Sequence, residues 1–164
     1  MNDPDSEIKR ARKRAMNLLM KMDRTEADVR SRLERDGYSV EAVDDSVAFL
    51  KEHKYLDDMR YACEYIRFKS QSMSRRQIEM KLARKGVDND IIRQAYDGYE
   101  DYNGVAPEQA QHDLIRKLIY KRCPDGVSSL DYTARQKLFA YLYGKGFSLS
   151  DIEEVYNNLP DSEH

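Results

Sequence analysis

The sequence predicts an all-α protein built from three tandem three-helix repeats in an elongated array. Three observations support this class. Similar segments recur around Gly37, Gly86 and Gly146, which are 49 and 60 residues apart. Each glycine has apolar residues eight and four positions before it, and one and six positions after it. No segment shows the two-residue alternation of a strand. The residues at these offsets are Val29, Leu33, Tyr38 and Val43; Ile78, Leu82, Val87 and Ile92; and Leu138, Leu142, Phe147 and Ile152.

Repeat one is assigned to residues 1–54. An amphipathic first helix is followed by Thr25, which caps a second helix that ends at Gly37. Glycine suits this end because it adopts a left-handed backbone at little cost. A third helix follows. The residues expected to face inward in the first and third helices are Ile8, Ala11, Ala15, Leu18, Leu19, Met22, Val40, Val43, Val47 and Leu50.

Repeat two, residues 55–103, follows the same plan. Asp57 or Asp58 is expected to cap its first helix. Ser74 and Gln77 form a capping box for the second helix, and Asp88 starts the third. The inward residues of the first and third helices are Met59, Ala62, Ile66, Ile92, Ala95, Tyr96 and Tyr99.

Repeat three is assigned to residues 104–164. Pro107 suits a first helical turn, and a Cys123–Ser129 loop absorbs the longer spacing. Pro160 ends the last helix, and Asp161–His164 are expected to fray. Nine helices of about 10–16 residues would then account for the chain. The inward residues expected outside the second helix are Ala110, Leu114, Leu118, Ile152, Val155, Tyr156 and Leu159.

Charge is segregated along the chain, although the formal net charge is only −2. Between Arg67 and Lys85, seven basic residues accompany one acidic residue. From Asp88 to Asp113, seven acidic residues accompany one basic residue. Such alternating blocks favour a protein that presents binding surfaces along its length.

Composition argues against several other classes. No apolar run approaches the ~18 residues of a membrane span, and two cysteines indicate free thiols in a reducing cytoplasm. The sequence has no phosphate-binding G-x-x-x-x-G-K-[ST] motif, and its three histidines lack ligand spacing. We therefore expect no enzymatic activity, no cofactor and no metal. The histidines are His53, His112 and His164.

Two segments resemble the RecX family of regulatory proteins. Tyr55–Ala62, with the sequence YLDDMRYA, resembles the family stretch Y-L-[DN]-D-x-x-[YF]-A. Ile78–Val87 is similar to the family segment I-x-x-x-L-x-x-K-G-[IV]. The chain departs from the family at Met73-Ser74, where Gly-Pro is common, and at the Cys123–Ser129 loop. The three-repeat layout agrees from Ile8 to Leu159.

The resemblance implies that the fold is an extended, curved array of three-helix bundles. It also implies that the protein is a negative modulator of the RecA recombinase. Family members bind in the groove of the RecA filament on single-stranded DNA. There they suppress ATP hydrolysis, strand exchange and co-protease activity, and they block filament growth. No catalytic residues come with the family. A cytoplasmic monomer without membrane contact is expected.

The second helices carry the candidate partner-binding residues. If Ile78 and Leu82 face inward, Arg76, Met80 and Arg84 face outward in one line. This combination suits an adaptable interface, although a solvated face would show the same pattern. In repeat three, aromatic residues beside Arg135 could bind protein or bases, or could pack internally. The full candidate set is Arg75, Arg76, Met80, Arg84, Lys85, Arg135, Lys137, Phe139 and Tyr143.

A DNA-binding tri-helical protein is the main alternative. Its third helices would enter the major groove, but here they are acidic, so phosphates would repel them. Weak, non-specific contact with single- or double-stranded DNA through the basic second helices stays open and would be salt-sensitive. A helical scaffold without a role in recombination is a further alternative. The acidic residues are Glu41, Asp44 and Asp45; Asp88, Asp90 and Asp97; and Asp151, Glu153 and Glu154.

Overall fold

A computed structural model describes residues 3–160, and its secondary structure consists of helices. Within this described part, ten helices and no strands are present, which confirms the all-α class. None of these helices is both long and apolar enough to cross a bilayer. The helices are α1 (Pro4–Lys21), α2 (Glu26–Arg35), α3 (Val40–Glu52), α4 (Asp58–Lys69), α5 (Arg75–Arg84), α6 (Asn89–Asp97), α7 (Tyr99–Asn103), α8 (Pro107–Arg122), α9 (Tyr132–Gly144) and α10 (Leu149–Asn157).

The helix count differs from the predicted nine because the third helix of repeat two is divided. Helix α6 ends at Asp97, and the five-residue α7 begins after Gly98. Glycine is a poor helix former, which favours a break at this position. The helices are 5 to 18 residues long, which is a wider range than predicted. The expectation that Asp161–His164 fray lies outside the described residues.

The chain divides into two compact units. The first unit contains the chain up to Glu64 together with Leu82–Ala95. The second contains Tyr65–Lys81 and the chain from Tyr96 onwards. Helices α4, α5 and α6 contribute residues to both units.

The core of repeat one lies in the first unit. Helices α1, α2 and α3 contribute buried residues at the predicted spacing, and Leu56 completes the cluster. Two residues expected to face inward are exposed: Met22, just beyond the end of α1, and Val40, the first residue of α3. Helix ends lie beyond the packed stripe, which explains both errors. The core residues are Ala15, Val29, Leu33, Val43, Val47, Leu50 and Leu56.

The core of repeat three lies in the second unit. The predicted stripe on α8 is wrong in part, since Ile115 and Ile119 are fully buried whereas Ala110 and Leu118 are only partly buried. The loop after α8 packs on this core through Cys123 and Val127. Neither cysteine in the described part of the chain forms a disulfide. The core residues are Leu114, Ile115, Ile119, Leu138, Leu142, Phe147, Ile152 and Val155.

The three repeat glycines end α2, α5 and α9 in the same way. Gly37, Gly86 and Gly146 have φ angles of 89°, 83° and 97°. In each case the amide N–H of the residue after the glycine donates to the carbonyl of the leucine four positions before the glycine, which is the Schellman arrangement. This confirms the predicted role of the glycines. The bonds run from Tyr38 to Leu33 (3.2 Å), from Val87 to Leu82 (3.1 Å) and from Phe147 to Leu142 (3.3 Å).

Joint one, in the first unit, connects the N-terminus of α2 to the C-terminus of α5. The Thr25 hydroxyl accepts the amide N–H of Asp28 at 3.2 Å and donates its own proton to the Lys85 carbonyl at 2.6 Å. Asp58 of α4 accepts the Glu26 amide N–H at 2.9 Å. Polar groups at the ends of two helices therefore satisfy one another.

Joint two, in the second unit, repeats this arrangement between α5 and α9. The Ser74 hydroxyl accepts the Gln77 amide N–H at 3.3 Å and donates to the Lys145 carbonyl at 2.7 Å. Gln111 of α8 accepts the Arg75 amide N–H at 2.9 Å. At both joints, the first helix of the next repeat accepts an N–H of the middle helix, and the hydroxyl that caps this middle helix donates to a carbonyl at the end of the next one.

The two candidate caps of α4 have separate roles. Asp57 accepts the Arg60 amide N–H at 3.0 Å and so caps α4. Asp58 instead accepts a hydrogen bond from the first residue of α2, at joint one. Burial raises the pKa of the Asp58 carboxyl, and the amide N–H of Glu26 partly offsets that effect.

The joints restrict Gly86 and Gly146 more than Gly37. A Cβ at Gly86 would overlap the Cβ of Ala27, and one at Gly146 would lie 2.5 Å from the Ser74 hydroxyl oxygen. A Cβ at Gly37 meets nothing within 4 Å. All three glycines therefore need a left-handed backbone, but only Gly86 and Gly146 also need the space that a Cβ would fill.

Alanine substitution separates these constraints. We expect Gly37→Ala to lower the free energy of unfolding by about 1–2 kcal/mol, because only the left-handed backbone is penalised. Gly86→Ala and Gly146→Ala should lose about 1–3 kcal/mol more, because the new methyl group overpacks a joint. Urea denaturation of the three variants measures the difference. Equal losses at all three positions would contradict close packing at the joints.

A second prediction concerns Tyr96, which is buried beneath the Arg75 guanidinium at 4.1 Å from the ring centroid. Among the described residues, its hydroxyl has no hydrogen-bond partner, and burial raises its pKa above the ordinary tyrosine value. Removing an unsatisfied hydroxyl should be neutral or stabilising. We expect Tyr96→Phe to leave the free energy of unfolding unchanged or raise it by up to about 1 kcal/mol.

Tyr156→Phe is the matched control, because the Tyr156 hydroxyl donates to the Val127 carbonyl at 3.5 Å. This variant should lose about 0.5 kcal/mol. Both are measured by chemical denaturation, and a loss above about 1 kcal/mol in Tyr96→Phe would show that its hydroxyl is satisfied.

Candidate partner-binding grooves

Each joint borders a surface groove. Groove one, in the first unit, has a volume of about 440 Å³, and groove two, in the second unit, about 610 Å³. Both are lined by the first turn of one middle helix and the last turn of the next. Groove one includes Met22, Arg24, Asp28, Arg32, Tyr61, Arg84 and Lys85; groove two includes Arg75, Arg76, Glu79, Glu108, Gln111, Tyr143, Leu149 and Asp151.

Part of the charge in groove one is already neutralised. Arg24 and Arg32 bind the Asp28 carboxylate at 2.8 and 3.0 Å, and Arg24 also donates to the Leu18 carbonyl at 3.2 Å. Burial alone would raise the pKa of Asp28, but the hydrogen bonds from both arginines outweigh burial and lower it. These groups therefore form a fixed wall of the groove.

Two predicted site residues, Arg84 and Lys85, line groove one from the C-terminal end of α5. Both side chains are exposed. The Lys85 carbonyl is held by Thr25, so the joint fixes the backbone from which this side chain projects. Groove one thus combines an ion-paired wall with basic side chains from the end of α5.

Groove two contains neighbouring arginines with different surroundings. Arg75 binds Glu79 at 2.8 Å and stacks on Tyr96, so its guanidinium is held within the repeat. Arg76 is exposed and forms no ion pair with any described residue. Of the two, Arg76 is the one that can form a new ionic contact without breaking an existing one.

Two exposed apolar side chains border groove two. Tyr143 of α9 is 54% exposed and Leu149 of α10 is 53% exposed. Tyrosine and arginine are enriched among the residues that dominate protein interfaces. Groove two therefore combines an exposed arginine with exposed apolar side chains.

The outward face predicted for α5 agrees with the exposures in the structure. Ile78 and Leu82 are fully buried, Arg76 and Arg84 are exposed, and Met80 is 47% exposed. Each of these side chains has the environment expected from helical periodicity. A role for Met80 in binding stays a prediction, and it lies outside both grooves.

The remaining candidates on α9 also lie outside both grooves. Phe139 is partly buried against the repeat-three core and meets the Tyr156 ring edge-on at 5.3 Å. The Arg135 guanidinium covers both rings, at 5.1 and 4.9 Å from their centroids. Internal packing therefore accounts for Phe139 and Arg135. Lys137 is exposed, and its contact with a partner stays a prediction.

Sequence reasoning missed several residues of these sites. Gln111 and Leu149 reach groove two from helices whose pairing cannot be derived from local spacing. The second bonds of Thr25 and Ser74 were also missed, although both residues were identified as caps. Their shared position 12 residues before a repeat glycine, with a hydroxyl in each case, is the signal that could have suggested a common second role.

Family models match most of the helical sequence. The model of the first three-helix domain of RecX matches residues 11–50, that of the second matches residues 57–95, and that of the third matches residues 109–156. The three matched regions follow in the order of the family.

Several proteins named regulatory protein RecX are similar over most of the chain. The protein of Caldanaerobacter subterraneus is 31% identical over 92% of this chain and 71% of its own length. That of Clostridium perfringens is 26% identical, over 98% and 73%. That of Yersinia enterocolitica is 24% identical, over 89% and 95%.

Two crystal structures share the fold. RecX from Lactobacillus salivarius superposes with a TM-score of 0.82 at 22% identity, covering 94% of this chain and 97% of that one. A second structure, described as regulatory protein RecX, has a TM-score of 0.77 at 23% identity, covering 94% and 74%.

Proposed function

The chain belongs to the RecX family of regulatory proteins, and from this we propose that it is a negative regulator of the RecA recombinase. It binds in the groove of the RecA filament on single-stranded DNA. Bound there, it lowers ATP hydrolysis, strand exchange and co-protease activity. It acts by occupying a surface, as a monomer in the cytoplasm, and catalyses no reaction.

The observation that carries this proposal is the composition of groove two. Arg76 of α5 and Tyr143 of α9 were selected from separate sequence patterns, and both line this one groove. An arginine beside exposed apolar side chains is typical of protein interfaces, where a few such residues supply most of the binding energy. Groove one adds Arg84 and Lys85. These features support a protein partner.

Direct contact with DNA is the second candidate. Helix α9 contains Arg135 and Lys137 and no acidic residue, so phosphates would be attracted to it. Such binding would be non-specific, and it would weaken steeply with salt because counterion release drives it. Inhibition through DNA alone would therefore fall more steeply with salt than inhibition that also uses the apolar side chains of groove two.

The central test is DNA-dependent ATP hydrolysis by RecA with increasing amounts of this protein. We expect inhibition to saturate at or below equimolar amounts, because a bound array blocks filament growth. The measurement is phosphate release on single-stranded DNA, repeated at two salt concentrations. Full ATPase activity at severalfold molar excess would refute the proposal.

The binding surface is tested with the double variant Arg76→Glu, Arg84→Glu. Inhibition should weaken by tenfold or more, because both groove edges then carry the opposite charge. Thermal stability should change little: glutamate is favourable near the start of α5 and unfavourable near its end, by about 0.3–1 kcal/mol each. The measurements are the inhibitor concentration that halves ATPase activity and the melting temperature.

Lys9→Glu, Lys13→Glu is the matched control, since it makes the same charge change on exposed positions of α1 outside both grooves. It should retain inhibition within about twofold. If both double variants lost inhibition equally, the effect would come from net charge. If Arg76→Glu, Arg84→Glu still inhibited fully, α5 would not be part of the contact with the partner.

A further inference from the structure

A histidine and two carboxylates converge in the second unit. His112 of α8 lies with its Nε2 atom 3.1 Å from an Asp151 carboxylate oxygen and 4.0 Å from a Glu154 oxygen of α10. The three ligand atoms all lie within 4.8 Å of one another. Local spacing does not indicate this cluster, because His112 lies on α8, 39 residues before Asp151, the nearer of the two carboxylates on α10.

We propose that His112, Asp151 and Glu154 bind a divalent transition-metal ion, with Zn²⁺ as the best match. One imidazole and two carboxylates form a mixed nitrogen and oxygen set, which suits Zn²⁺ better than Mg²⁺ or Ca²⁺. Three protein ligands leave a fourth position for water. The ion would clamp α8 to α10 beside groove two.

One hydrogen bond does not use both carboxylates. When Nε2 carries a proton, that proton can bond to Asp151 at 3.1 Å; a metal ion instead binds the Nε2 lone pair after this proton is released. Glu154 converges on the same atom but stays at 4.0 Å, beyond hydrogen-bond length. A cation placed between them can satisfy both carboxylates and the imidazole together.

The distances need little adjustment. Ligand bonds of about 2.1 Å place neighbouring ligand atoms roughly 3–3.5 Å apart. The side chain of His112 is 18% exposed and is held between the helices, whereas that of Glu154 is 60% exposed and free to rotate inward. Rotation of one exposed side chain therefore closes the site.

The charge of the cluster also favours a cation. Two ionised carboxylates carry two negative charges, and a protonated histidine carries one positive charge. The net charge of the cluster is therefore negative whether or not the histidine is protonated. The nearby Arg116 is bound to Asp113 at 2.9 Å and does not compensate it. On the groove side, Arg76 is the exposed cation that shares the groove-two lining with Asp151. A divalent ion would neutralise the cluster locally.

A neighbouring hydroxyl group orients one of the ligand side chains. The Ser148 hydroxyl donates to the second oxygen of Asp151 at 2.7 Å and so directs the first oxygen towards His112. Metal-binding carboxylates are commonly oriented by such outer hydrogen bonds. Glu108 lies one helical turn before His112 and also lines groove two.

The test uses the full chain after removal of metal, titrated with Co²⁺ and Zn²⁺. We expect one equivalent of Co²⁺ to produce visible absorption bands that Zn²⁺ abolishes, and saturating Zn²⁺ to raise the melting temperature by about 5 °C or more. Glu154→Gln should weaken Zn²⁺ affinity at least tenfold without changing the melting temperature of the metal-free protein. His112→Gln should abolish the absorption bands.

Controls identify the ligands. His53→Gln and His164→Gln should bind Zn²⁺ like the parent, since His53 contacts the Phe49 carbonyl of its own helix at 2.8 Å. Absence of the bands, or their loss in a control but not in His112→Gln, would overturn the site. The assay contains no RecA, so its outcome is independent of the proposed function.

Discussion

The fold depends on one hydroxyl group at each joint. Helix ends leave N–H and C=O groups without partners, and burying them unpaired would cost several kcal/mol. Thr25 and Ser74 are each 1% exposed, and each satisfies an N–H of its own helix and a C=O of the next middle helix. Because these ends are paired, the helices can meet closely, and the two grooves form at the same places. The candidate sites are thus consequences of how successive repeats are joined.

The repeat glycines have different importance although they occupy equivalent positions. Gly37 supplies only a left-handed turn, whereas Gly86 and Gly146 also leave room for the start of another repeat's middle helix. The last middle helix shows the complementary change: its cap, Asp131, accepts the Ala134 amide N–H at 2.7 Å but has no proton to donate onward. Residues that join repeats therefore carry two functions, and residues at the two ends of the series carry one.

Local features were predictable from the sequence, and long-range pairs were not. Helical periodicity identified Ile78 and Leu82 as buried, and the left-handed glycines followed from their spacing. The interruption at Gly98 and the buried stripe of α8 through Ile115 were missed, because tertiary packing selected between neighbouring positions. Arg76 and Tyr143 were identified separately, but their shared groove required the fold. The cluster at His112 required it entirely.

Groove two illustrates how fixed and available side chains can alternate on one helix. The backbone N–H of Arg75 donates to Gln111. Its guanidinium forms an ion pair with Glu79 and stacks on the Tyr96 ring, so Arg75 connects α5 to neighbouring helices. Its neighbour Arg76 has none of these contacts and faces the groove. Since contacts of Arg75 hold the first turn of α5, Arg76 projects from a helical backbone, and in the proposed contact it would lose less entropy than a loop residue. The joint that stabilises the fold thereby also positions the proposed binding surface.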